Sequence, residues 1–221
     1  MLQELESRTA AAAATGRQLP LVLLATHGET GWTVTGQHNG RTELPLTEAG
    51  ERNAYRLGER LKELTFVKVF ASPLLRAVQS CELAGFDGVA EIDPDLVEWD
   101  YGEYEGLTSA EIRERRPDWQ LFRDGCPRGE SPQRVAARAD RVVSRVRSAR
   151  GNVLLFSSGH FIRVLAACWI GIQPALSAKS FMLSTASLSA LGYEHDLSQP
   201  VIRLWNDTHR LISNDTTWHG I

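Results

Sequence analysis

The sequence predicts an α/β domain of three layers, in which a mostly parallel β-sheet lies between helices on both faces. Three short apolar runs, residues 21–25, 67–71 and 153–156, are typical of strands that are buried on both sides. Helical segments follow these runs, and strands that alternate with helices form parallel sheets. The chain has 221 residues, 43% of them hydrophobic, which is enough for one such domain.

Local signals predict the other elements in order. Thr47 is expected to cap a helix that runs to residue 64, and Ser72 with Pro73 to begin the next helix. Thr108 and Ser131 are expected to cap two further helices, which end at residues 115 and 147. The remaining predicted elements are a long loop, a helix and a closing antiparallel pair of strands, at residues 26–50, 159–170, 187–193 and 201–205.

The core domain is expected to span residues 20–207. Residues 1–19 are interpreted as an N-terminal extension, rich in alanine but carrying charges at positions where a secretory signal would be apolar. Residues 208–221 are interpreted as a C-terminal tail.

Composition argues against several classes of function. Charged residues make up 23% of the chain and the net charge is −3, so nothing drives binding to nucleic acid or to an anionic membrane. No apolar run reaches the roughly 18 residues that span a bilayer. Three cysteines without a CxxC pair argue against a disulfide framework or a cysteine zinc site, and a cytoplasmic location fits best. Arginines at helical spacing between residues 134 and 145 are interpreted as a solvated helix face.

Polar groups follow each of the three predicted parallel strands. Thr26 and His27 follow the first strand, Arg76 lies in the first turn of the helix after the second, and residues 158–160 follow the third. The functional crevice of such sheets lies at the carboxyl ends of the strands. We therefore expect these groups to meet in one site.

His27 is the candidate chemical centre of this site. It precedes Gly28, which allows close backbone approach, and begins a loop rich in Gly and Thr whose N–H groups could bind anions. Arg76 at a helix N-terminus would add a bidentate phosphate contact, the alternative being an exposed arginine on an amphipathic helix. Glu98 lies among aromatic residues that would raise its pKa and suit it to donate a proton, although any acid in this loop lies near aromatic residues.

Four sequence blocks, in this order and spacing, resemble the histidine phosphatase superfamily, the phosphoglycerate mutase-like group. The blocks are THGETGWTVTGQHNGRTELPLTEAGE, SPLLRA, LVEWDYGEYEG and SSGHFIR. The likeness covers residues 21–205 and implies the phosphoglycerate mutase-like fold. The aromatic block and the segment RDGCPRGES are most similar to the branch of small sugar-phosphate and acid phosphatases, which includes the sedoheptulose bisphosphatase-like proteins.

The resemblance implies that His27 attacks phosphorus and becomes a phosphohistidine, which water then hydrolyses. It assigns proton donation to Glu98 and phosphate binding to Arg76, with no metal and no cofactor. Further substrate contacts are expected from the long loop, whose members would line the mouth of the site, and from the strand ends: Thr26, Gln37, Asn39, Arg41, Ser158, Gly159 and His160. The implied partner is a small phosphorylated or anionic metabolite, with no nucleic acid and no membrane, and a homodimer stays open as the assembly.

Two positions depart from the family pattern. Thr26 stands where the family has Arg, and Ser158 stands where it has His, so two of the four groups that usually surround the phosphate are absent. The loss of one preorganised donor typically costs about 10²–10³ in rate. His160, two residues further on, is interpreted either as a replacement for the missing His or as a helix-cap histidine near the mouth.

These departures leave three functions open. The first is a phosphomonoesterase that acts on a small metabolite, with weakened turnover. The second is a catalytically impaired member that binds an anionic metabolite or a protein partner, and the third is a repurposed member with non-phosphatase chemistry in the same crevice. The retained His27, Arg76 and Glu98 favour chemistry, whereas Thr26 and Ser158 favour the second or third function.

Overall fold

The computed structural model describes residues 19–208, which form a six-stranded sheet with helices on both faces. The strands are β1 (Val22–Thr26), β2 (Lys68–Ala71), β3 (Glu91–Ile92), β4 (Val153–Ser157), β5 (Leu188–Tyr193) and β6 (Pro200–Asp207). The α-helices are α1 (Gly31–Thr35), α2 (Glu48–Leu61), α3 (Leu75–Cys81), α4 (Ser109–Arg115), α5 (Leu121–Asp124), α6 (Pro132–Arg147), α7 (Gly159–Trp169) and α8 (Pro174–Ser177). The predicted extension and tail, residues 1–19 and 208–221, lie outside the described residues, apart from Leu19 and Thr208.

The sheet is parallel over four strands and antiparallel at one edge. The strand order is β3-β2-β4-β1-β5-β6. Strands β1, β2 and β3 run parallel to β4 or to each other, whereas β5 pairs antiparallel with β1 and β6 pairs antiparallel with β5. The predicted mostly parallel sheet and its closing antiparallel pair are confirmed.

Side chains of the central strands alternate between two cores, which is why helices cover both faces. Leu24 and Leu155 pack in one core with residues of α6 and α7, such as Val135 and Phe161. The neighbouring residues of both strands, Leu23 and Phe156 among them, pack in the other core with residues of α2 and α3. Because successive side chains of a strand point to opposite faces, continuous apolar runs were needed at both strands. Each fully buried Leu contributes about 1.5–3 kcal/mol of burial free energy.

Three predicted helix caps are present where the sequence placed them, whereas α3 begins at Leu75 and not at Ser72 and Pro73 as predicted. Thr47 Oγ1 accepts from Gly50 N (3.0 Å), and Thr108 forms a capping box with Glu111. Ser131 caps α6, whose first residue is Pro132. Helix α2 ends at Leu61 rather than at residue 64, although Leu64 still packs against the core beneath α2 and α3.

Several elements were not predicted. The long loop after β1 contains α1, which is held by a capping box between Thr30 and Thr33 and ends at Gly36 with φ of 75°. The edge strand β3 and the short helices α5 and α8 have four residues or fewer each, too short for a periodic signal. Within residues 19–208, no helix combines the length and the apolar character needed to cross a bilayer.

Candidate active site

The ends of three neighbouring strands bring the predicted site residues together. In the sheet, β1 and β2 flank β4, and all three run in the same direction. His27 N donates to Ser157 O (3.0 Å) and Ser72 N donates to Phe156 O (2.9 Å), so the backbones after β1 and β2 are tied to β4. A cavity of about 540 Å³ opens at this edge. Of the residues predicted for the site, those that line it are Thr26, His27, Gln37, Asn39, Glu98, Gly159 and His160.

The His27 ring is held in one tautomer and is neutral. Nδ1 lies 2.7 Å from Gly28 O, and because a carbonyl only accepts, Nδ1 carries the proton and donates. Nε2 then bears the lone pair, and it accepts from Arg76 Nε (3.2 Å). Burial and the nearby Arg76 charge lower the pKa of His27 to about 3. The ring therefore presents an unprotonated nitrogen at ordinary pH.

Gly28 allows the loop after β1 to lie directly against α2. A Cβ atom at this position would stand 2.5 Å from Gly50 O, closer than any side chain permits. Gly28 N also donates to Ser80 Oγ (2.9 Å) on α3. The close backbone approach predicted for Gly28 therefore fixes the position of His27 from the helix side.

Arg76 is completely buried and mainly holds the loop that crosses the site. Its Nη2 donates to the carbonyl oxygens of Asn39 and Gly40, both at 2.8 Å, and its Nη1 donates to Thr42 O (3.2 Å). Only Nε points to His27. Arg76 is not among the residues that line the cavity, so most of its donors are turned away from the position predicted for phosphate.

Glu98 lies at the N-terminus of α7. Its Oε1 accepts from Trp99 N and Phe161 N, both at 2.8 Å, and its Oε2 accepts from His160 N (3.0 Å). Burial raises the pKa of Glu98 in spite of these three hydrogen bonds, which favour the charged form. Oε2 accepts a single N–H, so it is the oxygen with room to carry a proton.

Arg138 positions the loop that carries Glu98. Its guanidinium donates to Val97 O (2.6 Å) and forms a buried ion pair with Glu130 (2.9 Å). The expectation of a fully solvated arginine face on this helix was wrong for Arg138, because the loop of Glu98 packs over it. Its neighbours Arg141 and Arg145 do reach solvent, and both pair with Asp95.

The two positions that depart from the family pattern behave differently. Thr26 lines the cavity, but its Oγ1 donates to Ser184 O (2.7 Å) and accepts from Ser187 N (2.8 Å). Ser158 is completely buried at the N-cap position of α7, and its Oγ has no hydrogen-bond partner within residues 19–208. The Thr26 hydroxyl is thus hydrogen-bonded to the segment before β5, whereas the Ser158 hydroxyl has no partner within residues 19–208.

His160 is held by an aromatic cluster instead of turning toward the position of Ser158. Its Nδ1 lies 2.5 Å from Tyr101 Oη, and its ring packs edge-on against Phe122. His38 lies beside it, with ring centroids 5.8 Å apart. Burial lowers the pKa of His160 well below its ordinary value. This arrangement favours the interpretation of a histidine near the mouth over that of a replacement phosphate ligand.

The long-loop residues predicted for the mouth divide into two groups. Gln37 and Asn39 line the cavity; Gln37 Nε2 donates to Gly106 O (2.7 Å), and Asn39 Oδ1 is buried without a partner in the described chain. Arg41 does not line the cavity. Its guanidinium is half exposed and faces Asp100 at 4.0 Å, because the loop turns outward after Gly40. The prediction that Arg41 lines the mouth was wrong.

Several residues that line the cavity were not predicted from the sequence. His38 stacks on Tyr101 with ring centroids 4.6 Å apart, and burial lowers its pKa to about 4. His38 lies between Gln37 and Asn39, two residues that were predicted for the site, so its position in the first block could have indicated it as well. Arg163 is the only lysine or arginine among the described residues that line the cavity. Ser184 comes from the segment before β5, where no sequence pattern pointed to a site.

One family model and several curated proteins are similar in sequence to this chain. The model of the histidine phosphatase superfamily (branch 1) matches residues 22–208. An acid phosphatase of Mycobacterium tuberculosis is 41% identical over 182 residues, which cover 80% of this chain and 89% of that protein. Sedoheptulose 1,7-bisphosphatase of Saccharomyces cerevisiae is 34% identical over 185 residues, 69% of this chain and 68% of that protein.

The solved structures include a similar fold. The structure of an open reading frame product from Mycobacterium tuberculosis superposes with a TM-score of 0.80 and 37% sequence identity, covering 85% of this chain and 97% of that one.

Proposed function

The chain belongs to the histidine phosphatase superfamily (branch 1), and we propose that it hydrolyses a small phosphorylated metabolite through a phosphohistidine at His27. The family match confirms the resemblance carried by the four sequence blocks. The observation that carries the proposal is the neutral His27 ring, with its Nε2 lone pair and the Glu98 carboxyl at the same cavity. Both curated relatives described above are named as phosphatases.

The chemistry proceeds in two displacements. His27 Nε2 forms a bond to phosphorus while the ester P–O bond breaks, and the leaving oxygen takes the proton from Glu98 Oε2. Water then gives a proton back to the Glu98 carboxylate and attacks phosphorus, the P–N bond breaks, and inorganic phosphate leaves. The donor bond from His27 Nδ1 to Gly28 O stabilises the imidazole as it gains positive charge.

Phosphate binding requires a rearrangement at His27. In the free protein, Arg76 Nε donates to the Nε2 lone pair, so the substrate must take over this donor as the lone pair turns to phosphorus. The Ser158 hydroxyl is buried without a partner in the described chain and does not line the cavity, so it would supply a second donor only after turning toward the bound phosphate. Neither the hydroxyl nor a single N–H replaces the charge of two cations. We therefore expect turnover well below that of a site with the full set.

A second candidate is a catalytically impaired member that binds an anionic metabolite. The hydrogen bonds of Arg76 to three carbonyl groups favour it, because the one arginine predicted to bind phosphate is largely committed to the loop. In that case the cavity would retain a ligand without transferring its phosphoryl group.

One labelling experiment separates the two candidates. The protein is mixed with a ³²P-labelled phosphomonoester such as glucose 6-phosphate, quenched in base, and assayed for acid-labile, base-stable protein-bound label, with binding measured in parallel. We expect label on the parent protein and none on His27→Ala, while the exposed His195→Ala variant labels like the parent. Binding with neither protein-bound label nor released ³²P-phosphate on any variant would overturn the phosphatase proposal in favour of the second candidate.

A further inference from the structure

A second cavity of about 720 Å³ adjoins the site, and we refer to it as the annex. The annex and the cavity at His27 share four lining residues: His38, Ser109, His160 and Arg163. Two cavities with common walls lie side by side, so a ligand with its reactive end at His27 has room to extend past His38 and His160.

The annex concentrates positive charge. Its lining includes four cationic side chains and one acidic side chain: Arg113, Arg123, Arg163, Lys179 and Asp118. This excess stands out in a chain with a net charge of −3. The cavity at His27 has fewer cationic side chains, because Arg163 is the only lysine or arginine that lines it within residues 19–208.

Within residues 19–208, two of these cations have no partner. Arg123 is paired with Asp124, whereas the side chains of Arg113 and Lys179 form no hydrogen bond or ion pair within the described chain. Arg163 donates to the carbonyl oxygens of Ala178 and Lys179, which orient it without neutralising its charge. The annex therefore holds cations that are free to bind an anion.

The wall between the cations is made of buried aromatic rings that are held by contacts. Trp119 Nε1 donates to Gly125 O (2.9 Å), and Phe122 lies beneath the Arg163 guanidinium at 4.6 Å from its ring centroid. Both aromatic rings are buried. Side chains that are already ordered lower the entropic cost of binding a ligand. A charged side chain held in place therefore contributes more to the affinity for an anion.

We propose that the annex binds a second anionic group, a phosphate or a carboxylate, of the substrate whose phosphomonoester lies at His27. The proposal rests on the proposed function and narrows its substrates to metabolites with two anionic ends. It also gives a physical reason for activity in a pocket with Thr26 and Ser158. Binding free energy from a remote group can hold the reacting group in place where the local cations are missing.

The test compares substrates that differ in the second group only. Fructose 1,6-bisphosphate is compared with fructose 6-phosphate, and 3-phosphoglycerate with glycerol 3-phosphate, by kcat/KM on the parent protein and by Kd on His27→Ala. We expect a preference of about tenfold for the doubly anionic member, a modest value because the cations are exposed. The pair that shows the larger preference identifies the second group as phosphate or carboxylate.

The matched variants are Arg113→Gln with Lys179→Gln, and the control Arg115→Gln on the same helix α4, which lines neither cavity. We expect the double variant to lose most of the preference and the control to keep it. The preference should also weaken as salt rises, since the contacts are partly exposed.

The outcomes distinguish this proposal from the one on which it rests. Equal affinity for both members of each pair, or a preference that survives the double variant, would overturn the annex proposal whether or not hydrolysis occurs. A preference in Kd that the double variant abolishes supports the annex even if no phosphoenzyme forms. In that event the proposed phosphatase function alone fails.

Discussion

At the scale of single residues, the proposed chemistry depends on the protonation of His27 and Glu98. Burial shifts the two pKa values in opposite directions, lowering that of His27 to about 3 and raising that of Glu98. Burial disfavours the charged form of each, so His27 is neutral and Glu98 holds its proton to higher pH. A neutral nucleophile beside a protonated acid is the pair of states that phosphoryl transfer to histidine requires.

Glu98→Gln should slow the phosphorylation of His27, and the size of the effect should depend on the leaving group of the substrate. With a poor leaving group, as in fructose 6-phosphate, the rate at which His27 becomes phosphorylated should fall about 10²–10³-fold, since the alkoxide needs a proton. With p-nitrophenyl phosphate the same step should slow less than about tenfold, because its phenolate leaves without a proton. Hydrolysis of the phosphohistidine, in which the Glu98 carboxylate accepts a proton from water, should slow equally for both substrates. In the parent protein, turnover of the alkyl substrate should fall as pH rises through the raised pKa of Glu98, and the variant should lack this alkaline decline.

Glu103→Gln is the matched control for this prediction. Glu103 is a half-exposed acid five residues away that pairs with Arg128 and does not line the cavity. Its loss should leave both substrates unaffected. If Glu98→Gln slowed the phosphorylation of His27 equally for both substrates, Glu98 would not be the proton donor to the leaving oxygen.

At the scale of elements, the ends of β1 and β4 determine how much charge meets the substrate. Thr26 ends β1, and Ser158 stands between β4 and α7. Both are buried, yet Thr26 bonds to the segment before β5 while Ser158 Oγ stays without a partner in the described chain. The same sheet edge therefore offers one engaged hydroxyl and one free hydroxyl where two cations would stabilise phosphate.

Thr26→Arg combined with Ser158→His should raise kcat/KM for a simple aryl phosphate by at least about tenfold, because each cation stabilises the developing charge. The Thr26 change also breaks its bonds to Ser184 and Ser187, so the free energy of unfolding should fall by about 1 kcal/mol. Steady-state kinetics and urea denaturation measure the two effects.

The control for the strand ends is Thr26→Gln combined with Ser158→Asn. It adds donors of similar reach without charge, so its kcat/KM should stay near that of the parent protein. A parent protein that already turns over as fast as the charged variant would show that the present pocket is sufficient.

The arginine spacing of helix α6 led to a wrong prediction for Arg138. Its arginines recur at helical spacing, which is typical of a solvated face, but Arg138 is buried against the loop of Glu98. The spacing alone does not reveal which turn of the helix another loop covers. Arg138 thus acts as a positioning residue for Glu98 through Val97 and Glu130.

At the scale of the whole molecule, three buried histidines link folding to pH. His27, His38 and His160 are neutral in the fold, with pKa values of about 3, about 4 and well below the ordinary value. In the unfolded chain they titrate near 6.5, so the unfolded state binds more protons below that pH. Stability should therefore fall as pH drops from 6.5 toward 4, and Glu98, with its raised pKa, works in the opposite sense.

The expected loss is about 2 kcal/mol per buried histidine between pH 7 and pH 5. Urea denaturation at the two pH values measures it, and His38→Gln should lose about 2 kcal/mol less than the parent protein over this interval. His195→Gln is the control, since His195 is 72% exposed and should leave the difference unchanged. An identical pH dependence in His38→Gln and the parent protein would contradict this account.

The predictable part of the molecule consists of features encoded over short stretches. The strand at β1 follows from a continuous apolar run, and the start of α6 from a serine cap with proline after it. Helix α1 was missed because five residues are too few for a periodic pattern. Arg41 was misplaced because a family block records which residues are present and not where the loop turns.

By itself, the sequence determined the three-layer fold, the superfamily and the candidacy of His27 and Glu98, since apolar period, capping residues and ordered blocks are local properties of the chain. The tertiary structure alone decided that Arg76 is committed to loop carbonyls, and that within residues 19–208 both Ser158 Oγ and two cations of the annex lack a partner. These features depend on contacts between residues far apart in the chain, and no local pattern states which carbonyl, ring or charge another segment will meet.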